Sequence, residues 1–423
     1  MTLYYLFLFL IPFQEHPILG AKLLHVGSFP ITPIKVLGFA MLAGAIILPK
    51  PKNAAPRPSG GIFLLFAAFI IYPAVGTMLD SRPFSGGDMS TLISFALLMA
   101  ATNALVSTPK RMRNAIRAIV LAETFGSTWL YRQYYIYHWS RPVGPSADPN
   151  YEALALVLTV PLAVWLARYE ETKLWRRVGL FCVPILVFAV FVSQSRGGLL
   201  ALVVTGFLVW LNSKHKARFA AQMAAVGALL LALGPSSMIH RLEQIRVYGS
   251  VESGSELSTR IRWELDRAAI HMIESHPVFG VGLDQFRNEE VRYNPRLLIV
   301  DPYQHIAHNT YLELGAEGGM PTLALYLAIL ILTLYTCKEI ETDRAIPEAF
   351  TSLAYSVRIG LIGFMVAAVF LSAQYVKEPW VLVCLAPNLL EISRQAAGKR
   401  KRTAQKWASR AQSATLTPQY RAG

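Results

Sequence analysis

Runs of apolar residues separated by short polar connections recur along the whole chain. A helix needs about 20 mostly apolar residues to span a hydrocarbon core, and twelve segments approach that pattern. They are 2–14, 31–49, 61–79, 90–107, 114–131, 151–167, 178–193, 197–211, 219–237, 320–337, 352–373 and 378–391. The opening run has no basic leader and no small-residue cleavage site, so it reads as a retained helix and not as a signal peptide. Between the ninth and tenth runs the pattern changes, because residues 238–318 are polar and amphipathic. Loops of that length in a compact architecture are usually functional. Within this one, 258–275 has helical period, with Ile261, Leu265, Ala268 and Met272 on one face and Arg260, Glu264, Arg267 and His271 on another. Pro277, Gly280 and Gly282 end it. The expected organisation is therefore all-α and polytopic: membrane helices one to nine over 1–237, an extracytoplasmic loop domain over 238–318, helices ten to twelve over 319–391, and a basic tail over 392–423 expected to be disordered.

Composition agrees with that division. Hydrophobic residues make up 54% of the 423 positions and charged residues 16%, whereas soluble domains carry about 25% charged residues, which argues against a soluble enzyme. The net charge of +14 has two readings, a nucleic-acid partner or loops retained in the cytoplasm. Position separates them. Lysines and arginines concentrate in alternate connections, such as Lys110, Arg111, Arg113 and Arg117, then Arg168, Lys173, Arg176 and Arg177, and again in the tail. The positive-inside rule makes these connections and both termini cytoplasmic. Nucleic acid is then not needed. The opposite side holds more acidic than basic residues, so an anionic ligand there has to be held by a few placed arginines. Cys182, Cys337 and Cys384 are far apart, with neither zinc spacing nor a disulfide framework.

Three outward-facing places have residue types suited to chemistry, and each has a plainer reading. Gln194-Ser195-Arg196-Gly197-Gly198 interrupts two nearly continuous apolar runs. Its arginine can present a fork of donors to phosphate, or it can snorkel to lipid headgroups beside a packing glycine pair. Arg260 and Arg262 open the loop helix, where they can bind an anion bidentately. Alternatively they pair along the helix with Glu264 and Asp266, four residues on in each case. His308 precedes Thr310 and Glu313, which fit a capping box at the start of the tenth segment. A histidine there can take a proton from an attacking hydroxyl, or it is a water-facing loop residue. His271, His276 and His305 have no metal-gathering spacing, and Gly280-Val281-Gly282 lacks the context of a dinucleotide site. Glu123 and Arg358 are the main charges inside apolar runs and keep a secondary transporter open as a rival from another class, although no internal repeat or pair of broken helices accompanies them.

Taken together, Ser195-Arg196-Gly197-Gly198, the stretch from Arg262 through Arg267-Ala268-Ala269 to His276-Pro277-Val278-Phe279-Gly280-Val281-Gly282, and His308-Asn309 followed by Leu312, Glu317 and Gly318-Gly319 resemble the O-antigen ligase and polysaccharide polymerase family of bacterial membrane proteins. Gly144 with Asp148-Pro149-Asn150 also looks like the family's upstream pattern. The resemblance covers about 144–335. It implies a GT-C-like helical fold and a metal-independent glycosyl transfer without cofactor on the periplasmic face of the inner membrane. The implied donor is a glycan on undecaprenyl pyrophosphate, and the acceptor a sugar hydroxyl of lipid A core or of another glycan. By the same resemblance His308 serves the transfer, Arg196 engages the pyrophosphate, and a loop arginine assists. The family often has Arg, three residues, then Trp; here Trp263 follows Arg262 directly and Asp266 takes the usual Trp place, which leaves Arg260 and Arg262 both open. A polymerase of the same family, which extends the lipid-linked glycan itself, uses the same donor and the same motifs.

Overall fold

The computed structural model describes residues 1–16, 18–21, 23–26, 29–47, 51–58, 60–79, 86–233, 254–300 and 303–415. Among these the chain is almost wholly helical. The first nine helices are Thr2–Leu10 (α1), Pro33–Ile47 (α2), Gly61–Leu79 (α3), Gly86–Leu105 (α4), Pro109–Tyr131 (α5), Pro149–Tyr169 (α6), Lys173–Val192 (α7), Arg196–Leu211 (α8) and Lys216–Leu233 (α9). Gly254–Ser275 (α10), Phe286–Tyr293 (α11) and Leu297–Val300 (α12) follow, then Thr310–Thr342 (α13), Glu348–Ala367 (α14) and Lys377–Thr415 (α15). Each of the twelve apolar runs overlaps one of these helices. By length and composition α6, α7, α13 and Glu348–Phe370 can cross a membrane, and five further apolar helices are shorter. The chain is a helical membrane protein.

Two features depart from the sequence expectation. Leu24–Val26 (β1) pairs antiparallel with Phe29–Ile31 (β2), so the fold is not purely helical; three-residue strands are too short for alternation to register in the sequence. The tail expected to be disordered from 392 instead continues α15 as far as Thr415. Its alanines, arginines, lysines and glutamines are strong helix formers, and no proline interrupts them after Pro387. Residues 416–423 and 238–253 lie outside the described residues.

Helix α6 is the axis of the bundle. Ala153 through Leu158, Leu162, Ala163 and Leu166 are all buried, and α5, α7, α8 and α14 pack around them. The close approaches rely on small residues, as expected where lipid removes the hydrophobic drive between helices. A Cβ on Gly179 of α7 would meet the Ala167 backbone, one on Gly360 of α14 the Leu158 carbonyl, and one on Gly198 of α8 the Ala153 side chain. At the Glu170 end of α6, Arg117 clamps Glu170 through two hydrogen bonds of 3.0 and 2.7 Å. Arg358, one of the main charges inside apolar runs, is likewise committed, donating to Glu341 at 2.6 and 2.8 Å.

At the Asp148 end, α10, α11 and α12 form a cap with its own small core. Leu265, Ala268, Ala269 and Met272 of α10 bury against Val281, Phe286, Leu297, Ala307 and Ala316. The expected apolar face of α10 is therefore the packed one. Glu264, expected on the polar face, turns inward and accepts from Asn294 Nδ2 at 2.8 Å, because 100° per residue places it beside Leu265 and one turn before Ala268. The cap is joined to the bundle at a break in α13. Gly319 has φ 76° and ψ 170°, and the carbonyls freed by the break accept from the incoming loop: Val281 N–H to Ala316 O at 2.7 Å and Gly282 N–H to Glu317 O at 2.9 Å. Met320 N–H returns to Pro277 O at 2.8 Å. Gly280, also at positive φ, fits because an added Cβ would strike the Glu317 backbone.

Candidate active site

The N-termini of three helices converge under α10. Asp148 caps α6, accepting from Asn150 and Tyr151 N–H at 2.7 and 3.2 Å, with Pro149 preset at the first helical position. Ser195 caps α8, accepting from Gly198 N–H at 3.2 Å, and its hydroxyl donates to Asn150 Oδ1 at 2.9 Å, which ties the two helix starts together. The α13 cap is Asn309, accepting from Tyr311 and Leu312 N–H, and not Thr310 as the capping-box pattern predicts. Thr310 instead stitches α13 to the chain after α14, donating to Leu371 O at 2.5 Å and accepting from Ala373 N–H at 2.7 Å. Glu313 serves Ala307 N–H, Ser372 and Gln374 rather than the cap.

Above α8 and α13 lies a cavity of about 610 Å³ lined by Arg196, Arg262, Trp263, Asp266, His308 and Asn309, with an apolar wall that includes Leu200, Val203 and Phe370. A smaller neighbouring cavity shares Arg196 and Arg262 and adds Arg141, Asn150 and Ser195. Helix N-termini carry positive dipole ends, and two guanidiniums over such ends can attract an anion. The charges act on one another. Burial first, and then the Arg196 cation, push the Arg262 guanidinium below its ordinary value. Burial raises Asp266 to about 6, against the pull of Arg262. For His308, burial and then the Arg262 cation push the imidazole down to about 4, so the ring is neutral at pH 7. Its Nδ1 is buried and has no hydrogen-bond partner among the described residues. Both approach loops are strained: Gln194 has φ 56° and His308 φ 53°, a left-handed conformation that costs a non-glycine residue about 1–2 kcal/mol.

Residues 180–327, from α7 into α13, match the O-antigen ligase family model. This part of the chain is thus similar to the O-antigen ligase family. No curated protein matches the chain.

The matched segment holds Arg196, Arg262 and His308 on one cavity, whereas Arg260 is exposed and lines neither cavity. The other loop histidines have local work: His271 Nδ1 lies 3.0 Å from Tyr293 O and His276 Nδ1 3.0 Å from the Tyr293 hydroxyl, joining α10 to the end of α11. The sequence reading left several neighbours unassigned. Arg141, counted only as a loop charge, donates to Asn150 Oδ1 at 3.2 Å. Asp148 and Asn150, quoted only as part of a motif, hold the α6 start and tie it to the start of α8, and Asp148 lies close enough to act on the charge of both Arg262 and His308. Asp-Pro at a helix start was the available signal for Asp148; nothing in the chain marked Arg141 as lying beside Asn150.

Proposed function

We propose that the protein is a membrane glycosyltransferase that moves a glycan from undecaprenyl pyrophosphate to a sugar hydroxyl, in the manner of an O-antigen ligase. The observation that carries this reading is the placement of Arg196, Arg262 and neutral His308 on one cavity at converging helix N-termini. Arg196 and Arg262 hold the pyrophosphate of the donor. His308 accepts the proton of the acceptor hydroxyl as its oxygen bonds to the anomeric carbon, and the bond to the pyrophosphate oxygen breaks with its electron pair passing to the leaving group. Negative charge grows on that group in the transition state, where fixed guanidiniums and helix dipoles stabilise it more than in the ground state. Lipid A core or another glycan is the acceptor. The apolar wall beside the arginines suits the polyprenyl end of the donor.

In this reading the bundle is GT-C-like with twelve membrane helices, both termini are cytoplasmic, and the cavity opens on the periplasmic side of the inner membrane. Alternation of basic connections supports that orientation. Transfer by the reconstituted protein, with lipid-linked glycan extracted from membranes as donor, is the test. Loss of a general base reduces the rate by about 10²–10⁴-fold, so His308→Ala is expected to fall by that factor at normal protein level. An unchanged rate would remove His308 from the reaction.

A further inference from the structure

At the end of α6 away from Asp148 lies a cavity of about 750 Å³, between the last turns of α6 and α8, the start of α9, the end of α13 and the start of α14. That volume falls within the usual size of small-molecule sites. Helix α6 has 21 residues, and at 1.5 Å per residue it holds this cavity about 30 Å from the Arg196 cavity, the thickness of a hydrocarbon core. In the orientation proposed above it therefore opens at the cytoplasmic face.

Arg168, Lys214, Arg218 and Lys338 line it. Two acids face them, and both are occupied: Glu341 is held by Arg358, with Lys338 3.7 Å away, and Glu348 accepts from the Tyr169 hydroxyl at 3.4 Å. Arg168, Lys214 and Arg218 are exposed and have neither a hydrogen-bond nor an ion-pair partner among the described residues. A separate observation comes from α14. Ser356 lines the same cavity and is only 7% exposed. Its hydroxyl meets no partner among the described residues, yet its oxygen is not sealed off from the cavity. Buried hydroxyls are normally paired, so this one has room for a polar atom of a ligand. The remaining wall is apolar and held in place. Val164, Val209, Phe219 and Ile359 contribute to it, while Trp165 Nε1 donates to Ala349 O at 2.8 Å and the Tyr355 hydroxyl to Leu208 O at 2.6 Å.

We propose that this cavity binds the headgroup of an anionic glycerophospholipid from the adjacent leaflet. Arg168, Lys214 and Arg218 hold its phosphate, Ser356 meets a glycerol or ester oxygen, and the apolar wall takes the first part of the acyl chains. Basic pockets between membrane helices at the cytoplasmic face suit such headgroups. A free phosphate would satisfy the cations and leave the apolar wall wet, whereas a lipid covers both. The positive-inside rule accounts for the sign of these side chains; it does not account for their convergence with Ser356 on one cavity. The inference goes beyond the transfer reading and does not depend on it, since the cavity lies at the opposite end of α6 from Arg196 and His308.

The test uses the full-length protein in phosphatidylcholine vesicles titrated with phosphatidylglycerol, read as melting temperature and as lipid retained on detergent extraction by mass spectrometry. The wild type is expected to melt higher as phosphatidylglycerol rises and to retain it. Inorganic phosphate or glycerol 3-phosphate, added to phosphatidylcholine vesicles instead, is expected to leave the melting temperature unchanged. Replacing Arg168, Lys214 and Arg218 together by Gln is expected to weaken the apparent affinity for phosphatidylglycerol about 10–100-fold. The control replaces Lys52, Lys110 and Arg177 by Gln, three exposed residues of other basic connections, and is expected to stay within about twofold of the wild type. If the first triple variant does not fold, Arg218→Gln decides alone, with an expected loss of about fivefold. Equal losses in the two triple variants would reduce the effect to the general field of the basic connections and overturn the inference. So would a wild type indifferent to phosphatidylglycerol, or one stabilised as well by the soluble phosphates.

Discussion

The cavity holding Arg196, Arg262 and His308 and a second cavity of about 350 Å³ lined by Glu123, Asp148, Glu152, Glu313 and Glu317 share helix α13, yet arginines line the one and acids the other. The difference lies in which part of each helix faces the space. The first cavity lies over the starts of α8 and α13, so helix dipole ends add to the two guanidiniums. The second is lined from the flanks of α5, α6 and α13, where only side chains decide, and those are Glu123, Glu152, Glu313 and Glu317. Two cavities of contrasting lining therefore come from one arrangement of helices.

The cap that covers both cavities depends on the break in α13, so the contrast is lost altogether if that break is repaired. Gly319→Ala places a side chain at φ 76° and ψ 170° and against the Val278 carbonyl. It is expected to cost about 3 kcal/mol or more, seen as a lowered melting temperature or as loss of folded protein. Next in size is Arg196→Lys, which keeps the charge and loses the fork. A drop of about 10–100-fold in kcat/KM for the lipid-linked donor is expected, and unchanged turnover would favour the headgroup-snorkelling reading of this arginine. The pH profile gives a smaller, sharper test of the basic character of the first cavity. Protonation disables the base, so kcat/KM falls as pH drops through the His308 value. With the imidazole pushed to about 4 by burial and Arg262, the acidic limb is expected near pH 4, and a limb near the ordinary histidine value of about 6.5 would mean that the ring is solvated and distant from the arginines.

Much of this was legible in the sequence because it depends on local pattern. The apolar runs marked the helices, and the family resemblance brought forward Arg196, Arg262 and His308, which the fold places on one cavity. What the sequence could not give was pairing across the fold. Whether Arg260 or Arg262 reaches the cavity depends on the rotation of α10, set by Leu265, Ala268 and Met272 packing on residues as distant as Ala316. The acidic cavity was invisible for the same reason: Glu123, Glu152 and Glu317 are far apart in the chain, and Glu123 alone reads as an isolated charge within an apolar run. Thr310 and Glu313 misled because a capping-box pattern does not reveal that tertiary partners, Leu371, Ala373 and Gln374, compete for those side chains.

The rotation of α10 is also where the account is most exposed. The decisive measurement is kcat/KM for the lipid-linked donor with Arg262→Lys and Arg260→Lys compared side by side in the reconstituted full-length protein. Arg262 lines the arginine cavity and Arg260 is exposed, so the first variant is expected to lose about 10–100-fold and the second to match the wild type. A loss confined to Arg260→Lys, or an equal loss in both, would contradict the placement of the anion site.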